Sequence, residues 1–135
     1  MSTGLKTEYI SVAFETGEVY IFNIKNDNLV QVAAKFDNFN NLPCLTMATL
    51  ETGSKNVLAL GHLNGEVRIY NLSAEANFNM ICSFGEHLTM INQIVSYKDY
   101  LITCGDDCFV NVWKINTSDD NENKVSIVYN YEFSH

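Results

Sequence analysis

The sequence predicts an all-β fold made of about three consecutive four-stranded antiparallel sheets that do not close on themselves. Three observations predict it: a hairpin unit that recurs three times, a two-residue alternation within the recurring strands, and turn residues at matching positions. No stretch carries the 3.6-residue apolar period of an amphipathic helix.

The unit occupies residues 10–24 (ISVAFETGEVYIFNI), 58–72 (LALGHLNGEVRIYNL) and 101–115 (LITCGDDCFVNVWKI). Each copy reads as an apolar strand, a polar turn and a second strand that ends aromatic, polar, aliphatic. The aromatic positions Phe22, Tyr70 and Trp113 fall 48 and 43 residues apart, near the roughly 40 to 45 residues of one four-stranded propeller blade. In the first copy Glu18, Tyr20, Phe22 and Ile24 share one face of the second strand, and Val19, Ile21 and Asn23 share the other, as a pleated strand requires. The later copies divide the same way. Gly17 and Gly65 hold equivalent turn positions, where a residue free to take positive φ closes a hairpin without steric cost. Cys108 stands there in the third copy, which predicts a different turn.

The remaining strands are placed around these hairpins. Residues 29–36 and 78–84 are predicted to finish the first two sheets, and 125–133 the third, after the polar loop 116–124. Residues 45–50 and 91–97 are predicted to begin the second and third. Only residues 1–8 are left to begin the first, and their Ser, Thr and Gly make a poor strand. The expected organisation is one domain, 1–135, with blades at about 1–36, 43–84 and 88–135: an incomplete ring of a β-propeller. Rings of this kind have four or more blades, so three leave apolar faces that another chain, a second copy or further blades must cover.

Composition agrees with a folded chain. Apolar residues make up 47% of it, enough to offset chain entropy, unlike a disordered sequence. Eight Lys and Arg stand against 16 Asp and Glu, a net charge of −8, and the cations are scattered. That excludes nucleic acid or an anionic membrane as the main ligand, since phosphate binding needs a clustered basic face. Without the apolar core of a signal peptide or an apolar run of membrane-spanning length, a cytoplasmic location is expected. Cys44, Cys82, Cys104 and Cys108 are then expected as reduced thiols.

No catalytic, cofactor or metal site is expected. Of the three histidines, His62, His87 and His135, none stands in a nucleophile setting. Cys104, Cys108 and His87 could be imagined around zinc, but the spacing is not that of a Cys-x-x-Cys knuckle and no fourth ligand follows. Neither Asp106-Asp107 nor the acidic run 119–122 has the spaced oxygen ligands and glycine of a calcium loop. Partner-binding candidates lie in the loops. Phe39 and Asn40 sit in the polar run 37–41 with no strand alternation to bury the ring, and His62 and Asn64 flank the second hairpin turn.

The third copy carries a family likeness. Gly85-Glu86-His87, a strand, and then residues 103–114 (TCGDDCFVNVWK) resemble a WD repeat, with His87 in the place of the Gly-His histidine and Trp113-Lys114 in the place of Trp-Asp. It departs from the pattern by inserting Glu86 and by carrying Lys where Asp is usual. The resemblance implies a buried hydrogen-bonded set of His87, Thr103, Asp107 and Trp113 that stiffens the blade. The second copy has Tyr70-Asn71 and no equivalent histidine, and the first has Phe22-Asn23, so neither is expected to carry the set. The function implied is a non-catalytic scaffold that holds other proteins inside a larger intracellular assembly. The alternative from strand content alone is a small closed barrel carrying an apolar molecule.

Overall fold

The computed structural model describes residues 8–25, 29–36, 43–52, 55–85, 87–115 and 125–133. Phe39, Asn40, His135 and the loop 116–124 lie outside them. The chain divides into two compact units, Met1–Pro43 and Cys44–His135. The first unit holds one sheet, in the order β1 (Glu8–Ala13), β2 (Val19–Lys25), β3 (Leu29–Phe36).

The second unit holds two sheets of four strands. One runs β4 (Cys44–Thr52), β5 (Lys55–His62), β6 (Val67–Asn71), β7 (Met80–Phe84), and the other β8 (Ile91–Tyr97), β9 (Tyr100–Gly105), β10 (Phe109–Ile115), β11 (Val125–Glu132). All pairings are antiparallel between neighbours in sequence. The fold is therefore all-β, and among the described residues no strand pairing joins one sheet to another. This overturns the closed-barrel alternative, because a barrel needs one continuous ladder and these strands are shared among three open ones.

The repeat persists in backbone detail. In each sheet the ladder to the outer strand slips at one equivalent place, between Ile21 and Phe22, Ile69 and Tyr70, and Val112 and Trp113. The surplus residues, Ala33, Ile81 and Val128, form a bulge that adds twist to the outer strand. Gly17 and Gly65 take φ of 97° and 88°, and Cys108 takes φ of 68°. The third turn is thus the same turn, which corrects the expectation for Cys108. The hairpin geometry imposes positive φ there whatever residue occupies it, and the amides of Gly17, Gly65 and Cys108 donate to Phe14, His62 and Gly105 alike.

A second correction concerns residues 78–84, since the outer strand begins only at Met80. Asn77 and Phe78 both have positive φ, and the Phe78 amide donates to the Ser73 carbonyl, so the chain turns where a strand was expected.

The two sheets of the second unit pack face to face. Leu50, Val57, Ala59, Val67 and Ile69 of one sheet meet Ile91, Ile94, Leu101, Trp113 and Ile115 of the other. Phe84 leans on the Trp113 ring at a centroid distance of 4.4 Å. Two hydrogen bonds pin the innermost strands: the Ile94 amide donates to Thr46 Oγ1 and Ser96 Oγ donates to the Thr49 carbonyl. The two sheets thereby meet through opposite sides of their hairpins. In β6 the Val67, Ile69 side is buried, and in β10 the Asn111, Trp113, Ile115 side is.

Candidate functional site

His87, Thr103, Asp107 and Trp113 are brought together at one end of the third sheet. His87 lies on the loop before β8, Thr103 in β9, Asp107 in the β9–β10 turn and Trp113 in β10. Thr103 and Trp113 reach one another because Asn111 pairs with Thr103 and Trp113 with Leu101, which puts all of them on the buried side. The Trp113 indole N–H donates to Thr103 Oγ1 at 2.9 Å. Thr103 Oγ1 lies 2.8 Å from His87 Nε2, and His87 Nδ1 lies 3.0 and 3.1 Å from the two Asp107 oxygens.

The donors assign the tautomer. The Asn111 side-chain amide, which can only donate through Nδ2, approaches His87 Nε2 at 3.4 Å, so Nε2 accepts and Nδ1 carries the proton that faces Asp107. Asn111 is itself oriented by Asn130 of β11, whose Nδ2 donates to Asn111 Oδ1. The set therefore runs from the loop before β8 through β9, β10 and β11.

Asp107 also accepts the Leu88 and Phe109 amides at 2.9 and 3.1 Å. Burial alone would push its carboxyl up. The hydrogen bonds from His87 and the two amides outweigh burial and hold the carboxyl below the ordinary carboxylate range. Gly105 makes room for this pair, since a Cβ there would lie 2.9 Å from His87 Nδ1 and 2.8 Å from the Met90 carbonyl.

An Asp–His–Thr chain has the order of a catalytic relay, but its chemistry here is closed off. Thr103 is inaccessible, and its oxygen already accepts the tryptophan N–H. Cys44 is a buried thiol that burial pushes up to about 11, despite backbone hydrogen bonds, so it is poorly nucleophilic. All four cysteines are free thiols. Among the described residues no group of three or more His, Cys, Asp or Glu could hold a metal ion. The set can hold a turn, a strand and a loop in one geometry.

The loop candidates separate. Asn64 is exposed, and its Oδ1 accepts the Glu66 amide at 3.0 Å. Beside it Arg68 grips Glu66 through Nε and a terminal nitrogen at 3.2 and 3.3 Å. Burial raises the Glu66 carboxyl, and this pairing outweighs it, so the group sits below its ordinary value. His62, by contrast, is only 4% exposed at the end of β5. It offers a partner no surface, because the hairpin turn folds its ring inward while Leu63 and Asn64 take the tip. Sequence reasoning missed Asn111 and Asn130. The signal was present for the first, since asparagine is depleted in strands and Asn111 shares the face of Trp113.

No protein-family model matches the chain, and no curated protein matches it. Solved structures do. A chain of the crystal structure of a mitotic checkpoint complex is similar over 90% of this chain and 34% of its own length, with a TM-score of 0.65 at 18% identity. The β-propeller domain of Myceliophteria thermophila Cps50 (Swd1) is similar over 91% of this chain and 41% of its own, with a TM-score of 0.68 at 11% identity. This chain thus spans about a third to two fifths of the length of those chains. At such identities the likeness shows the fold: the three open antiparallel sheets are blades of a β-propeller.

Proposed function

We propose that the chain is a non-catalytic WD-repeat segment of a propeller that holds other protein chains within a larger assembly. The observation that carries this reading is a row of half-exposed aromatics on β11 and at the residue just after it. Tyr129 and Tyr131 stack at 6.1 Å and Phe133 meets Tyr131 edge-on at 4.7 Å. Exposed aromatics held rigid by their neighbours lose little entropy on contact and are enriched at protein interfaces. The hydrogen-bonded set around His87 supports the WD-repeat likeness, because the four residues the resemblance names bond one to the next within it. The similarity to a chain of a mitotic checkpoint complex supports a place among complex subunits.

Segments 64–71 and 109–115 also resemble WD repeat-containing protein fifty-four, and none of the known proteins compared supports that finer likeness. Four free thiols favour the reducing cytoplasm as the compartment. The experiment is quantitative affinity purification from the source cells, with the wild-type chain and a Tyr129→Ser, Tyr131→Ser variant as baits. Stoichiometric partner chains that are lost with the variant are expected. Recovery of nothing above background, or equal recovery by both baits, would overturn the reading.

A further inference from the structure

The turn between β5 and β6 carries a reactive pair that stands outside the hydrogen-bonded set around His87. Of the 17 asparagines, Asn64 alone precedes a glycine. Glycine has no Cβ to shield its own nitrogen or to restrict its φ, so that nitrogen can attack the neighbouring side-chain amide. Asn64 is exposed to water, and Gly65 beside it is buried. In the folded turn both reacting groups are committed. The Gly65 amide donates to the His62 carbonyl at 3.1 Å, and Asn64 Oδ1 accepts the Glu66 amide at 3.0 Å. The attack needs a Gly65 nitrogen that has lost its proton, and the folded turn holds that proton in a hydrogen bond.

The backbone at this turn has no slack. A Cβ on Gly65 would lie 2.4 Å from the His87 carbonyl oxygen and 2.6 Å from that of Thr89, and a Cβ on Gly85 would lie 3.1 Å from the Gly65 carbonyl oxygen. Gly85, His87 and Thr89 therefore pack on Gly65 at both its α-carbon and its carbonyl. The third sheet shows which change such a turn accepts. Its equivalent pair is Asp107-Cys108, and the Asp107 carboxylate accepts the Phe109 amide at 3.1 Å as Asn64 accepts that of Glu66.

We infer that Asn64-Gly65 is a site of spontaneous deamidation, gated by the fold, whose isoaspartyl product unseats the loop that carries His87. The Gly65 nitrogen forms a bond to Asn64 Cγ as the Cγ–Nδ2 bond breaks, and Nδ2 leaves as ammonia with the proton from the Gly65 nitrogen. Water then opens the cyclic imide at either carbonyl carbon. Attack at Cγ restores the normal chain with a carboxylate side group, the group that the third turn already carries. Attack at the main-chain carbonyl carbon leaves the chain running through Cβ and Cγ, one atom longer, against neighbours that give it no room. The lengthened turn displaces the loop, and Asp107 loses the His87 ring and the Leu88 amide that it holds. Damage at the second turn is thereby read in the third sheet.

The test incubates the 135-residue chain at mildly alkaline pH with and without urea and follows Asn64 by peptide mass spectrometry. Conversion is expected to be at least about tenfold slower without urea, because ring closure must wait for the turn to open. Isoaspartate is read by methyl transfer from S-adenosylmethionine with an isoaspartyl methyltransferase. The converted chain is then returned to buffer and compared with freshly prepared Asn64→Asp, which has the carboxylate without the extra backbone atom. Hydrogen exchange of the Leu88 amide is expected to be about tenfold faster than wild type in the isoaspartyl chain and unchanged in Asn64→Asp. Equal conversion with and without urea, or no conversion of Asn64 in urea, overturns the inference. So does an isoaspartyl chain whose Leu88 amide exchanges at the wild-type rate. An Asn64→Asp chain that loses the same protection also overturns it, since the longer backbone is then not the cause.

Discussion

The second and third sheets build the same hairpin from different chemistry. Their turns carry Asn64-Gly65 and Asp107-Cys108. In each, the first side chain accepts the amide two residues on, at 3.0 and 3.1 Å, and the second residue takes positive φ. Below the turn the sheets part. Where the third places Thr103 and Trp113 in a hydrogen-bonded set, the second has Leu60 and Tyr70 at the equivalent places, with Leu60 fully buried. One sheet is specified by apolar packing and the other by a satisfied polar network, so the hairpin needs neither in particular.

The turn residues differ for a reason seen only in space. A Cβ on Gly65 would lie 2.4 Å from the His87 carbonyl and 2.6 Å from that of Thr89. The loop that carries His87 thus lies against the second turn and admits only glycine there. With that loop placed by Gly65, His87 reaches Asp107, and the third turn is held by its carboxylate. Cys108 can then tolerate a backbone conformation that costs an L-residue about 1–2 kcal/mol.

The largest effect that would break this comparison is at Trp113. Trp113→Ala is expected to destabilise by about 3–5 kcal/mol in urea unfolding, since it removes a buried ring and a hydrogen bond; a loss as small as that of Tyr70→Ala would put the two sheets on one footing. Asp107→Ala is expected to cost about 3 kcal/mol, because the His87 ring and the Leu88 and Phe109 amides lose their acceptor, whereas Asn64→Ala should cost about 1 kcal/mol.

The Asp107 carboxyl is held below its ordinary value, so its contribution is present above the unfolded value of about 4 and is lost as pH falls through the lower folded one. The stability gap between wild type and Asp107→Asn should therefore narrow in acid; a gap that is flat from neutral pH to pH of about 2 would remove the carboxylate from the account.

Gly65→Ala is expected to cost about 2 kcal/mol or more, from positive φ together with the carbonyl clash. Calorimetry would show no such loss if the His87 loop were free to withdraw. The smallest effect sharpens the comparison in the opposite direction. Cys108→Gly should stabilise by about 0.5–1 kcal/mol, read as a rise in Tm, and a fall would mean that the thiol contributes packing that outweighs the backbone strain.

The strands at 29–36 and 91–97 were legible to the residue, because alternation and flanking turn residues act over a few neighbours. The start of β7 was not, since Phe78 reads as a strand residue and only its burial beneath the turn at 73–79 explains its left-handed backbone. The four bonded residues around His87 were legible through the WD-repeat resemblance. Asn111 and Asn130 were not, because their partnership depends on the register that the Val112/Trp113 bulge sets between β10 and β11. Asn64 was legible as a loop residue, whereas the burial of His62 depended on how its hairpin turns.

By itself the sequence determined that there are three hairpin units, where their turns fall and that no helix competes, since these follow from local periodicity and turn chemistry. Which side of each hairpin meets which neighbouring sheet was decided only by tertiary structure. Both sides of these strands are apolar enough to pack, as stacked sheets require, so alternation carries no inside or outside. Val67 and Ile69 are buried while their equivalents Val110 and Val112 are only partly buried, because a neighbouring sheet packs on the first pair and no sheet among the described residues packs on the second.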